Sequence, residues 1–131
     1  MALLDDFSDA LEAASKNFDS TTEKLKLENK FAAASQTDGA ANKLHFAAEQ
    51  VNAISLEKLL ADNVAAQKLA DITKAMDAKT AAIASDEANV SRIVGIASAV
   101  THLLDSAFPV FNPDSVLSAL TGLSNMLNVQ T

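Results

Sequence analysis

The chain has 131 residues, 49% of them hydrophobic, with 17 acids against 10 bases and a formal charge of −7. It contains no cysteine, which excludes disulfide scaffolds, zinc–thiolate centres and thiol catalysis. The acidic balance excludes the broad basic footprint of a nucleic-acid binder.

Alanine supplies 26 residues, glycine only 3 and proline 2, and tryptophan and tyrosine are absent. Alanine is the strongest helix former, glycine and proline the strongest breakers, and strand-favouring aromatics are scarce. The expected fold is all-α: an antiparallel bundle of four to six helices in a single domain over residues 1–131.

The N-terminus, Met1-Ala2-Leu3-Leu4-Asp5-Asp6, lacks the basic region and apolar run of a secretory leader. The expectation is a cytoplasmic protein, one exported without a cleaved leader, or a mature form already processed. The first apolar series is Leu4, Phe7, Leu11, Ala14 and Phe18, extending through Thr21 to Leu25 and Ala32. Its intervals of three and four mark one helix face. Leu4, Leu11, Phe18, Leu25 and Ala32 fall seven apart, the spacing of a helix–helix seam, here expected between subunits. Residues 2–34 therefore form one helix or two, with Ser20 and Glu23 as a capping box at any break. Unbroken, 33 residues would span about 50 Å, far longer than a compact chain with a radius of gyration near 14 Å.

Ser35-Gln36-Thr37-Asp38-Gly39 is a cluster of turn residues and the expected linker. Helical spacing resumes at Leu44, Ala48, Val51 and Ile54, which predicts a helix over 40–54. Ser55 is the expected N-cap of a longer helix over 56–84, carrying Leu56, Leu59, Leu60, Leu69, Ile72, Met76 and Ile83, the alternative being one continuous helix over 40–84. Ser85-Asp86-Glu87 is a further start signal. The next helix, 87–108, presents Ile93, Ile96, Val100, Leu103 and Ala107 on one face, widened by Val94, Ala97 and Leu104, and ends with Phe108. Pro109-Val110-Phe111-Asn112-Pro113 breaks it, and Asn112 before Pro113 opens a last helix with Val116, Leu117, Leu120, Leu123 and Leu127.

Charge divides the chain. Residues 1–91 carry 15 acids and 9 bases, whereas residues 92–131 carry only Arg92, Asp105 and Asp114. This apolar hairpin is expected to be the most buried part of the assembled molecule. Its longest weakly polar run, Ile93 to Leu104, is well short of the roughly 20 residues of a membrane span.

Few residues suggest chemistry. His45 and Glu49 are four apart and share a helix face, but no second ligand pair accompanies them. His102 and Asp105 lie near Ser98, Thr101 and Ser106, without the strand–turn–helix elbow of an activated serine. The glycines are too far apart to cradle phosphate. Ser91, Gly95 and Ala99 form a small-residue stripe suited to close helix packing. No catalytic, cofactor or metal residue is expected. Leu4, Phe7, Leu11, Phe18, Leu25, Ile93, Ile96, Val100, Leu103, Leu104, Phe108, Phe111, Leu117, Leu120, Leu123 and Leu127 are expected to form core or interface.

Long helices over 2–34 and 40–84 would overhang the shorter C-terminal pair and leave apolar stripes wet, which marks an interface. The expected role is therefore a non-enzymatic structural or interaction protein, self-assembling as a homo-oligomer or filament-type subunit or held by a helical partner. In composition alone the chain resembles exported bacterial filament subunits. The alternative is a membrane-active or lipid-binding protein that inserts the hairpin around Pro109–Pro113.

Overall fold

A computed structural model describes residues 2–54 and 56–128, with the side chains of Ala2 and Asn128 outside the description. Among the described residues there are six α-helices and no strand: α1 (Ala2–Leu27), α2 (Phe31–Ala53), α3 (Glu57–Ala61), α4 (Asn63–Ser85), α5 (Val90–Ala107) and α6 (Pro113–Asn128). A single 3-10 turn, Glu87–Asn89, leads into α5.

The first break lies where neither Ser20 nor Gly39 puts it. Helix α1 ends in a Schellman motif: the Lys30 amide donates to the Leu25 carbonyl at 2.9 Å, and the Asn29 amide to Lys26 at 3.0 Å. Asn29 takes the left-handed conformation this requires, with φ 63°, a region that asparagine enters more readily than most side chains. Ser20 lies inside α1, its hydroxyl turned back to the Lys16 carbonyl, so no capping box forms there. Residues 35–39 are not a linker but part of α2. Their polar side chains Ser35, Gln36 and Asp38 are exposed while Thr37 is fully buried, the alternation of a half-buried helix. Ala32, on the far side of the break, is exposed and takes no part in the α1 seam.

The expected helix over 56–84 is divided at Asp62, whose side chain accepts the Val64 and Ala65 amides at 3.0 and 3.1 Å and caps α4. Ser55, the expected cap, lies outside the described residues. The later signals sit where the sequence places them. Asp86 caps the 3-10 turn by accepting the Ala88 amide at 2.9 Å, and Asn112 accepts the Ser115 amide at 3.1 Å at the head of α6.

The five long helices close into a ring. Helix α1 lies between α2 and α4, α2 between α1 and α5, and α6 between α5 and α4. Ser8 reaches Ala48 and Ser15 reaches Ala41, so α1 and α2 run antiparallel. Asn17 meets Thr80 and Thr21 meets Ala84, both pairs 63 residues apart, so α1 and α4 run parallel. Helices α1, α4 and α6 point one way, α2 and α5 the other. The surface area is 6773 Å², close to the roughly 6,600 Å² of a compact globule of this mass. With breaks at residues 28–30 and 62, no helix among the described residues is longer than the 26 residues of α1.

The α1–α2 seam is built from small residues. Ser8, Ser15 and Thr22 fall seven apart on α1, and their hydroxyls meet Ala48, Ala41 and Thr37 of α2. Ser8 and Ser15 donate to backbone carbonyls at 3.0 and 2.7 Å, and Thr22 pairs with the Thr37 hydroxyl at 2.6 Å. A short side chain bonding the backbone of the next helix requires the two helices to approach closely. Ala34, Ala41 and Ala48, also seven apart, permit it. Beside them Phe7, Leu11, Phe18 and Leu25 are at most 1% exposed. This seam is therefore filled within one chain, contrary to the intersubunit seam expected from its spacing.

Ile93, Ile96, Val100, Leu103, Leu104, Leu120, Leu123 and Leu127 are buried in the same core, with Leu4, Phe111 and Leu117 partly buried against it. Phe108 is not a core residue: it is 40% exposed, because it caps α5 in extended backbone (φ −150°, ψ 140°) and leaves the buried face.

Two substitutions test this packing. Ala41→Leu overfills the α1–α2 seam and should cost about 1–3 kcal/mol. Gly39 has no atom within 4 Å of an added Cβ and does not have positive φ. Gly39→Ala should therefore stabilise by about 0.5–1 kcal/mol as a mid-helix replacement. Urea denaturation measures both; a destabilising Gly39→Ala would contradict its place in a helix.

Candidate functional site

Three surface features carry polar or apolar groups that the core does not consume. The first is His45 on α2. Its Nδ1 lies 2.8 and 3.0 Å from the two carboxylate oxygens of Glu12 on α1, and its Nε2 lies 3.8 Å from Glu49. The two carboxylates occupy opposite edges of the imidazole, so they do not face a common point. Among the described residues no three His, Asp or Glu side chains converge to hold a metal ion. Glu12, 33 residues away in sequence, is the partner that spacing along one helix does not reveal. The hydrogen bond and charge of Glu12 hold the imidazole pKa above its ordinary value. Nearby on the same seam, burial raises the carboxyl of Asp19, helped by the charges of Asp38 and Glu23.

His102 and Asp105 are both exposed on α5. The Thr101 hydroxyl donates back to the Ala97 carbonyl at 3.0 Å and Ser106 is buried, so neither is presented as a nucleophile. Gly95 of the small-residue stripe receives Met126 of α6: a Cβ there would meet its sulfur at 2.9 Å. Gly95 is thus a packing site for a side chain of α6, whereas Ser91 of the same stripe is exposed.

The second feature is an open groove between the parallel helices α2 and α5. One section, about 300 Å³, is lined by Ser35, Gly39, Ala40, Val94 and Ala97, among others. A second, about 180 Å³, is lined by Phe46, Ala47, Gln50, Thr101 and Leu104, and the two meet at Lys43. Small side chains, Ser35, Gly39, Ala40 and Ala97, open the groove's first section. Its volume is at the lower limit for ligand sites, and it lacks the convergent polar set that fixes a ligand's orientation.

The third feature is a set of exposed large apolar side chains, and their placement follows the ends of the bundle. Leu27 (85% exposed) and Phe31 (62%) flank the α1–α2 turn. At the same end, Lys30 joins Glu87 at 3.1 Å and Glu28 at 3.2 Å, and Lys24 lies 3.7 Å from Glu87. The hydrogen bond that Lys30 donates, with the charges of Lys30 and Lys24, holds the Glu87 carboxyl below its ordinary pKa. At the opposite end, Val64 opens α4 while Phe108 and Val110 (76% exposed) occupy the α5–α6 connection, beside α3 in a cleft lined by Glu57, Lys58 and Pro109. Among the exposed large apolar side chains of the described residues, Phe46 lies on the flank.

The C-terminal hairpin, despite its few charges, also presents a polar outer surface. It is not uniformly buried: Ser91, Ser98, Thr101, Ser118, Thr121 and Asn125 face solvent. Hydroxyls and amides hydrate a helix face as well as charges do, so three ionised groups suffice. Among the described residues no helix is long and apolar enough to cross a membrane.

Compared with protein families, characterised proteins and solved structures, the chain matches none at a significant level.

The His45 bridge has a definite pH signature. Its raised pKa means that the fold favours the protonated ring. The stabilisation is complete below the unfolded value near 6.5 and fades as pH rises through the folded one. The raised Asp19 carboxyl acts in the same sense, its penalty relieved as pH falls. The melting-temperature difference between wild type and His45→Gln should be widest near pH 6 and close at alkaline pH. A difference independent of pH would show that the Glu12–His45 bridge contributes no charge pairing.

Proposed function

We propose that the protein is a non-enzymatic helical subunit that acts through its surfaces, by packing against further copies of itself. One observation carries the reading: large apolar side chains exposed on a bundle whose core is otherwise complete. Leu27, Phe31, Val64, Phe108 and Val110 would each gain by leaving water, at roughly 25 cal/mol per Å² of apolar surface removed. Single exposed apolar residues are ordinary on protein surfaces. Groups of them on one end face are the pattern that marks interaction sites.

Insertion of the Phe108–Phe111 tip into lipid is the competing reading. Asp105 and Asp114 flank that tip, and their charges oppose approach to an anionic bilayer.

Light scattering coupled to size-exclusion chromatography tests the proposal. The mass should rise above the 13.7 kDa monomer as concentration increases, in the absence of lipid. A monomer at every soluble concentration, combined with co-sedimentation on liposomes, would replace self-packing by the lipid reading.

A further inference from the structure

Apart from Phe46, the exposed large apolar residues are divided between the two ends of the bundle, and the ends differ in charge. The difference lies in the caps, turns and two terminal helical turns at each end. The Val110 end holds Asp5, Asp6, Glu49, Glu57, Asp62, Asp105 and Asp114 against Lys58 and Lys68. The Leu27 end holds Lys24, Lys26, Lys30, Lys79 and Arg92 against Glu23, Glu28, Asp86 and Glu87. Most of the molecule's net negative charge therefore sits at one pole, and the other is slightly positive.

The asymmetry follows from the topology. Three helices, α1, α4 and α6, begin at the Val110 pole, and acids at helix starts are favoured by the positive end of the helix dipole. Two such poles brought together would repel, because like charges facing across a contact are penalised. An acidic pole against a slightly basic one attracts, and it places one apolar patch on another.

We propose that copies of this chain join end to end, the Leu27–Phe31 pole of one seated on the Phe108–Val110 pole of the next. The inference rests on the self-packing reading above and adds its geometry. Because the two surfaces in contact are different, the contact does not close on two copies; it generates a ring or an open polar chain. In an open chain with the helices along its axis, each subunit would advance it by about the length of the bundle, roughly 40 Å for the 26 residues of α1.

The test uses two variants that each block one pole. Leu27, Phe31 and Val110 are exposed, so the substitutions leave the core untouched, and circular dichroism checks that helicity is retained. Leu27→Ser/Phe31→Ser removes one surface and Val110→Asp spoils the other. Each variant alone should lose self-association by roughly tenfold or more, the effect of removing an anchor residue from an interface. Mixed in equal amounts, they should form a heterodimer that grows no further, because each supplies the pole that the other lacks. A mixture that stays monomeric, or a Val110→Asp protein that still dimerises alone through its Leu27 pole, overturns the end-to-end contact. If both variants assemble like the wild type, self-packing stands but uses another surface. If the wild type itself is monomeric throughout, the self-packing reading fails and this inference with it.

Discussion

The close approach of α1 and α2 is the constraint on which the rest of the molecule depends. It is set by three hydroxyl side chains, Ser8, Ser15 and Thr22, each bonded to the opposing helix. Buried hydroxyls are costly without partners, and among the described residues no buried side-chain nitrogen or oxygen lacks one. These bonds therefore fix register: sliding α2 by one residue would strand all three. Leu11 and Phe18 can then be completely buried only because the seam beside them is thin. Thr21 and Asn17 extend the same device to α4 through Ala84 and Thr80, so that one helix orients both of its neighbours.

Much of the fold was legible because the apolar period is strong. The faces of α1, α5 and α6, the break at Pro109–Pro113 and the caps at Asp86 and Asn112 all follow from spacing and cap chemistry. The structure departs from these signals where tertiary packing overrides local preference. Gly39 sits in a helix because α2 is held by α1 on one side and α5 on the other, which outweighs the roughly 1 kcal/mol that a mid-helix glycine loses. Asn29 ends α1 through a left-handed residue, a role for which glycine is the commoner signal. The break at Asp62 was masked because the apolar period continues from Leu59 to Leu69 across it. The seven-residue series Ser8, Ser15 and Thr22 was present in the sequence, but polar residues carry no weight in a search for hydrophobic period.

The candidate surfaces were less legible than the core for a geometric reason. Helical period gives the direction in which a side chain points around the axis. It does not say where along the axis that helix meets the end of the bundle. Leu27 and Phe31 are exposed because Asn29 turns the chain between them, and Phe108 because Pro109 ends its helix; neither consequence is visible until the breaks are placed. The Glu12–His45 pair depends in the same way on the α1–α2 register, which brings together residues 33 positions apart.

The ring arrangement also sets how the molecule comes apart. In an open stack of helices an end member has one neighbour and can detach while the others remain packed. Here each of the five long helices is flanked by two others, so removing any one strips apolar surface from two faces at once. Chain-local pairs, α1 with α2 and α5 with α6, are joined through the sequence-distant contacts of α1 with α4, α2 with α5 and α4 with α6. None of the five is an end member that can fray independently. The long helices thus form a single cooperative unit, and the five-residue α3, far shorter than a self-supporting helix, lies outside the ring but is tied to it by Leu56 and Leu59, which are buried in the same core.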